Sequence, residues 1–134
     1  MFRKVTIIGI GLMGGSLALS LKKHHIAKEV VGLSRNQSSI MQAIKKQAID
    51  NGTTDIKEAV RNSDLVVFAT PVDTIVKLLP TVNANIKRGC LLTDMGSTKA
   101  AIVDAAQKAL SFPGNFVGSH PLAGSEKGFI SDLF

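Results

Sequence analysis

A glycine-rich segment near the start of the chain has the residue types and spacing of a phosphate-binding loop. Residues 9–14 read G-I-G-L-M-G, after a β-branched run and before a helix-like stretch. Gly9 permits a tight turn, Gly11 leaves room for a diphosphate, and Gly14 allows close packing of helix on strand. In this context the loop predicts NAD or NADP binding rather than a purely structural turn. The predicted cofactor-binding residues here are Gly9, Gly11, Leu12, Met13 and Gly14.

A second pair of residues bears on which dinucleotide is bound. The second predicted strand of such a domain usually ends in an acidic residue that accepts the ribose 2′-hydroxyl. This chain has Ser34-Arg35-Asn36 at that point and no carboxylate. A guanidinium binds phosphate in a forked geometry, so Ser34 and Arg35 favour a 2′-phosphate, and therefore NADP or dual use over strict NAD. The alternative is that Arg35 is an ordinary surface residue.

Two further segments contain polar residues that the packing of a core does not require. One is T-D-M-G-S-T-K at residues 93–99, at a predicted strand end that leads into a helix. The other is G-S-H-P-L-A-G-S-E-K-G at residues 118–128, after the last predicted strand. Both follow strands, so both belong where loops carry chemistry in an open α/β sheet.

The elements that position these loops alternate between strand and helix. We expect strands at Lys4–Ile8, Val30–Leu33, Leu65–Ala69, Cys90–Asp94 and Asn115–Gly118. We expect helices at Leu12–Lys23, Ser38–Gln47, Ile56–Arg61 and Thr98–Leu110, with another capped by Asp73 that runs to about Val82 unless Pro80 shortens it. This order predicts an α/β, doubly wound, mainly parallel sheet of the Rossmann type, with the loops after the strands along one rim.

Composition limits the function classes. The 134 residues form one predicted domain, and 45% hydrophobic content supports a core. The net charge of +6 comes from scattered residues, and aromatics are only 4%, so we expect no nucleic-acid partner. The single cysteine, Cys90, excludes an internal disulfide and is expected to be buried, and no cluster has metal-ligand spacing. Glycines interrupt the apolar N-terminal run, so we expect a cytoplasmic protein with no membrane partner.

The two polar segments also carry a resemblance to a known family. Together with the glycine loop, residues 94–99 and 118–128 resemble the prephenate and arogenate dehydrogenases of tyrosine biosynthesis, and the resemblance covers essentially the whole chain. It implies an NAD(P)-dependent oxidative decarboxylation of a small-molecule substrate, prephenate or arogenate. The sequence does not separate these two substrates.

The resemblance also assigns roles to individual residues. It implies that His120 accepts the substrate's hydroxyl proton, where the alternative is a rim histidine bonded to backbone. Ser97 would contact the nicotinamide and the substrate hydroxyl, although it also looks like a helix N-cap. Glu126 would join the polar network around the substrate, unless it is a solvated carboxylate. Thr70, Pro71 and Val72 would pass under the adenosine half of the cofactor, mainly through backbone.

The chain departs from the family in length. The family's helical second domain, which supplies dimer contacts and substrate-binding cations, has no counterpart in residues 1–134. We therefore expect a fragment or a cofactor-domain remnant that has little activity alone and is a homodimer when the second domain is present. Two other interpretations stay open: a different Rossmann NADP-dependent oxidoreductase, and a non-catalytic nucleotide-binding module.

Overall fold

The computed structural model describes residues 2–95 and 116–118, and these form a parallel α/β sheet with helices on both faces. The strands are β1 (Phe2–Ile8), β2 (Ala27–Leu33), β3 (Asn51–Thr53), β4 (Leu65–Phe68), β5 (Leu91–Asp94) and β6 (Phe116–Gly118). The helices are α1 (Leu12–Lys23), α2 (Gln37–Lys45), α3 (Ile56–Val60) and α4 (Val72–Asn85). The spatial order is β3-β2-β1-β4-β5-β6, and every strand pair is parallel. The predicted fold class is confirmed.

The sheet reverses its winding direction between β1 and β4. From β1 the chain moves outward through β2 to β3, then returns across the sheet to β4 and continues to β6. In register, Ile8 of β1 lies beside Leu33 of β2 and Phe68 of β4. In open parallel sheets a crevice for ligands forms at the carboxyl ends of the strands where the winding reverses. The glycine loop leaves β1 at this position.

Two apolar clusters hold the helices to the sheet. One cluster joins β1 and β4 to α1 and α2, with Val5, Leu17 and Ile40 among its buried members. The other joins the opposite face to α3 and α4, with Phe68 and Leu79 among its members. Because successive strand side chains point to opposite faces, strands covered on both sides are nearly continuously apolar. The V-V-F run of β4 follows this rule, since all its residues are buried.

Several predicted element boundaries need correction. Helix α1 has its predicted bounds, whereas β2 begins at Ala27 rather than Val30. Asp73 does not cap α4, because the N-cap is Pro71 and Asp73 lies within the first helical turn. Pro80 does not end that helix, which continues to Asn85. The strand at β3 was not predicted, and the helix expected at 98–110 lies outside the described residues.

Candidate functional site

The turn after β1 can accommodate only glycine at its first position. Gly9 has a φ of +94°, a region that side-chain-bearing residues rarely adopt. A Cβ at Gly9 would lie 2.6 Å from Cγ2 of Thr70 and 2.8 Å from the carbonyl oxygen of Ala69. The Gly9 N–H donates to the Leu33 carbonyl at 2.9 Å. The chain is thus fixed from both neighbouring strands at the point where it leaves the sheet.

The other two glycines of the loop differ from each other in what surrounds them. A Cβ at Gly14 would lie 2.0 Å from the Gly9 carbonyl oxygen and 3.2 Å from Cβ of Ala69. A Cβ at Gly11 would meet no atom of the described residues within 4 Å, and the φ of Gly11 is an ordinary −71°. Gly14 is therefore required by the chain's own packing. Gly11 has no such requirement among the described residues, and it leaves open space beside the start of α1.

The start of α1 has no capping side chain. Gly11 is the N-cap and supplies no side-chain hydrogen bond, and the first turn contains no acidic residue. The first N–H groups of a helix have no intrahelical partner, and the helix dipole adds positive potential there. By contrast, Asn36 accepts a hydrogen bond from the Ser38 N–H at the start of α2, and Asp55 accepts one from the Lys57 N–H in α3. The uncapped end of α1 lies beside the open space at Gly11.

A groove of about 500 Å³ opens beside Gly9, between the ends of β1 and β2 and the first turns of α4, whereas Gly11 itself lines a second groove between α1 and α2. Its lining includes no Asp or Glu among the described residues, and Arg35, which is exposed, supplies a positive charge. The lining residues are Ile8, Gly9, Leu33, Ser34, Arg35, Asn36, Thr54, Ile56, Thr70, Pro71, Thr74 and Leu78. We call this cavity the adenosine groove, after the half of the dinucleotide that the sequence predicts beside Thr70 and Pro71.

Ser34 is held in place by the strand next to it and by the turn that follows. Its N–H donates to the Thr53 carbonyl at 3.2 Å, and its Oγ accepts the Asn36 N–H at 3.1 Å. Oγ therefore keeps its own hydrogen for a further hydrogen bond. The Asn36 side chain in turn caps α2, which fixes the turn that carries Arg35. The predicted pair Ser34 and Arg35 thus lies in the wall of the groove.

The remaining predicted cofactor residues divide between the groove and its surroundings. Leu12 and Met13 are 89% and 45% exposed at the start of α1, and Leu12 lines a second groove of about 340 Å³ between α1 and α2. Thr70 and Pro71 line the adenosine groove. The side chain of Val72 packs against the core cluster of α3 and α4 instead, so it is not part of the groove lining.

Sequence reasoning missed some of the groove residues. Thr74 and Leu78 lie four residues apart on α4, on the face that borders the groove, and this helical spacing could have revealed them. Thr54 and Ile56 follow β3, and without that strand their position at the rim could not be predicted. Asn36 carried a signal, since Asn before a helix is a preferred N-cap.

The predicted catalytic and substrate residues Ser97, His120 and Glu126 lie outside the described residues. The structure does place the strands that lead to them. Asp94, at the end of β5, lies in register between Phe68 of β4 and Gly118 of β6. The segments that follow β5 and β6 therefore start side by side, on the same rim as the glycine loop. Across the described ranges 2–95 and 116–118, no cluster of His, Cys, Asp and Glu could hold a metal ion.

Comparison with known proteins identifies the group to which this chain belongs. The sequence profile described as "Prephenate dehydrogenase, nucleotide-binding domain" matches residues 17–131. The chain belongs to the prephenate dehydrogenase family. It is 37% identical to the prephenate dehydrogenase of Bacillus subtilis over 128 residues, which are 95% of this chain and 34% of that enzyme. It is 32% identical to the cyclohexadienyl dehydrogenase of Zymomonas mobilis, of which it spans 42%.

A solved structure agrees with this membership. The prephenate dehydrogenase of A. aeolicus, in complex with hydroxyphenyl propionate and NAD+, superposes with a TM-score of 0.83 at 32% identity. The match covers 93% of this chain and 43% of that one. The chain thus spans well under half the length of these relatives, and it corresponds to their nucleotide-binding domain. The resemblance drawn from residues 94–99 and 118–128 is confirmed at the level of the family.

No helix in ranges 2–95 and 116–118 combines the length and the apolar character that crossing a membrane requires.

Proposed function

We propose that this chain is the cofactor-binding part of an NAD(P)-dependent prephenate or arogenate dehydrogenase. The open space at Gly11, beside the uncapped start of α1, is the observation that carries the proposal. A diphosphate placed there would accept hydrogen bonds from free N–H groups, and the adenosine half would extend into the groove lined by Ser34 and Arg35. The NAD+ found with the A. aeolicus relative supports the same cofactor class.

The test is to fill the open space without disturbing the fold. Gly11→Ser places a side chain where the diphosphate would lie, while serine is a good N-cap and should preserve α1. We expect Gly11→Ser to weaken NADPH and NADH binding at least about a hundredfold, since a side chain and a diphosphate cannot share the space. Its thermal midpoint should match that of the unaltered chain. Fluorescence titration and a thermal melt measure the two effects, and unchanged affinity would refute the placement of the diphosphate.

We further propose that the cofactor is NADP, or either dinucleotide, rather than NAD alone. A 2′-phosphate would add two negative charges near Arg35, in a groove lined by no Asp or Glu among the described residues. A charge-assisted hydrogen bond of this kind contributes about 1.5–3 kcal/mol. Arg35→Ala should therefore weaken NADPH binding roughly tenfold to a hundredfold and leave NADH binding unchanged. Much tighter binding of NADH than NADPH by the unaltered chain would contradict the preference.

For the reaction, we propose roles for three residues that follow β5 and β6. The glycine loop, Ser34 and Arg35 would hold NAD(P)+, which would supply a hydride acceptor for the ring carbon that bears the hydroxyl, and loss of carbon dioxide from the substrate would make the ring aromatic. His120 would take the hydroxyl proton, and Pro121 would hold His120 in extended backbone. Ser97 would orient the hydroxyl, and Glu126 would join the polar network around it. The common rim on which β5 and β6 end supports these roles.

The whole protein that carries this sequence is the appropriate subject for the catalytic test. There, His120→Asn should abolish the turnover of prephenate and arogenate and leave the affinity for NADPH unchanged. Retained turnover would show that the proton is taken by another group. For that whole protein we also propose a homodimer located in the cytoplasm, which chromatography with light scattering and cell fractionation would test.

A further inference from the structure

Thr70 lies at the junction that supports the glycine loop. It follows β4, and the Ala69 N–H before it donates to the Ile8 carbonyl at 2.8 Å, which extends the pairing of β4 with β1. The loop leaves β1 directly after Ile8. Residues 69 and 70 therefore lie under the first residue of the loop, held there by main-chain hydrogen bonding.

The methyl group of Thr70 packs against Gly9. A Cβ added at Gly9 would lie 2.6 Å from Cγ2 of Thr70, so the methyl fills the space on that side of the glycine. Cβ of Ala69 occupies the corresponding place under Gly14, at 3.2 Å from an added Cβ. The two residues that follow β4 thus contact both glycines whose positions set the geometry of the turn. A shift of either contact would move the start of α1.

The hydroxyl group of Thr70 is enclosed. Its Oγ1 exposes less than 1 Å² and has no hydrogen-bond partner among the described residues. Thr70 is one of the residues that line the adenosine groove, but an atom so enclosed is poorly placed to contact a ligand there. Burying an unpartnered hydroxyl also costs free energy. Of the two groups on this side chain, only the methyl makes a contact that bears on the loop.

We propose that Thr70 is a positioning residue, whose methyl group holds Gly9, and through it the first N–H groups of α1, in the geometry that receives the cofactor diphosphate. The inference rests on the proposed function in one respect, namely that the ligand is a dinucleotide. Binding groups act well when they are held within about 0.5 Å of their productive positions, and the contact of the Thr70 methyl with Gly9 is one of those that set the position of this turn. The hydroxyl has no part in binding.

Two substitutions separate the methyl from the hydroxyl. Thr70→Val keeps the methyl and replaces the enclosed hydroxyl with a group of similar size. Thr70→Ser keeps the hydroxyl and removes the methyl. We expect Thr70→Val to bind NADPH within about twofold of the unaltered chain, and Thr70→Ser to bind about tenfold more weakly, because the loop is no longer held. Fluorescence titration well below the thermal midpoints of all three proteins excludes unfolding as the cause.

The opposite order of affinities would overturn the proposal, since weak binding by Thr70→Val and normal binding by Thr70→Ser would make the hydroxyl a ligand. A second measurement needs no cofactor. In the ligand-free chain, the amide resonances of Gly9 and Gly11 should shift in Thr70→Ser and stay in place in Thr70→Val. Shifts in both variants, or in neither, would refute the role of the methyl. If the unaltered chain binds neither NADPH nor NADH, the proposed function fails, and these resonances still decide whether Thr70 positions the loop.

Discussion

Two adjacent glycines in α1 should respond to alanine in opposite directions. A Cβ at Gly14 would lie 2.0 Å from the Gly9 carbonyl oxygen, and backbone cannot move aside as a flexible side chain can. In the described part of the chain, a Cβ at Gly15 would meet only the Ile10 carbonyl oxygen, at 3.9 Å, which is ordinary contact. Overpacking costs about 1–3 kcal/mol, and a backbone clash this severe belongs at or above the upper end. Alanine inside a helix gains about 0.8–1 kcal/mol over glycine.

Gly14→Ala should therefore lower the free energy of unfolding by at least about 2 kcal/mol, after the gain in helix propensity is included. Gly15→Ala should raise it by roughly 0.5–1 kcal/mol. A domain of this size changes its midpoint by about 4 °C per kcal/mol, so the two variants should differ by about 10 °C or more. Thermal melts followed by circular dichroism measure the difference. Equal midpoints would show that α1 does not depend on close contact with the Gly9 carbonyl.

Three further predictions concern parts of the fold away from the loop. Asp64→Asn should lower the free energy of unfolding by about 1 kcal/mol, because the carboxylate accepts hydrogen bonds from Lys87 Nζ at 2.5 Å and the Arg3 N–H at 2.7 Å. These bonds, the one from Lys87 foremost, hold the pKa of Asp64 below its ordinary value of 3.8. The stabilisation is therefore present above pH 3.8 and is lost as the pH falls through the lower pKa of the folded chain. Urea melts in acid should show this loss in the unaltered chain but not in Asp64→Asn. Burial raises the pKa of the Cys90 thiol to about 12, so a disulfide reagent at mildly alkaline pH should label the chain only after urea unfolds it; labelling of the native chain would contradict this burial. Gln47→Gly should raise the free energy of unfolding by about 0.5–1 kcal/mol, and with it the thermal midpoint, because Gln47 has a φ of +62° after α2. A lower midpoint would mean that the Gln47 side chain stabilises the fold by more than the backbone strain costs.

The parts of the fold that the sequence predicted well are those where local and tertiary preferences agree. Helix α1 has both bounds as predicted, because a glycine turn starts it and two lysines occupy its last turn. The apolar run of β4 is buried throughout, as expected for a strand covered on both faces. Cys90 is buried as predicted. At each of these places the backbone requirement and the burial requirement favour the same residue types.

The errors fall where tertiary contacts override local preference. The N-G-T sequence of β3 is typical of a turn, yet the segment pairs with β2. A Cβ at Gly52 would lie 2.3 Å from Cγ2 of Ile40. Glycine is needed there because α2 packs closely on the strand, which no local pattern shows. Pro80 stays within α4 although its ring removes one helix hydrogen bond, and Leu79 and Val82 on either side of it remain buried. Burial of that apolar face offsets the lost bond.

Within the candidate site, the motif alone could not separate what folding requires from what binding requires. The three glycines at positions 9, 11 and 14 form one pattern in the sequence, but the structure gives them different causes. Gly9 and Gly14 are fixed by contacts with Thr70, Ala69 and each other, so they would be needed in a chain that bound nothing. Gly11 has an ordinary φ, and a Cβ there would meet no described residue within 4 Å, so the described packing does not require glycine at that position. The diphosphate proposed beside α1 would require it. A substitution at Gly11 therefore tests binding with little effect on folding, whereas loss of binding at Gly14 would be confounded with loss of the fold.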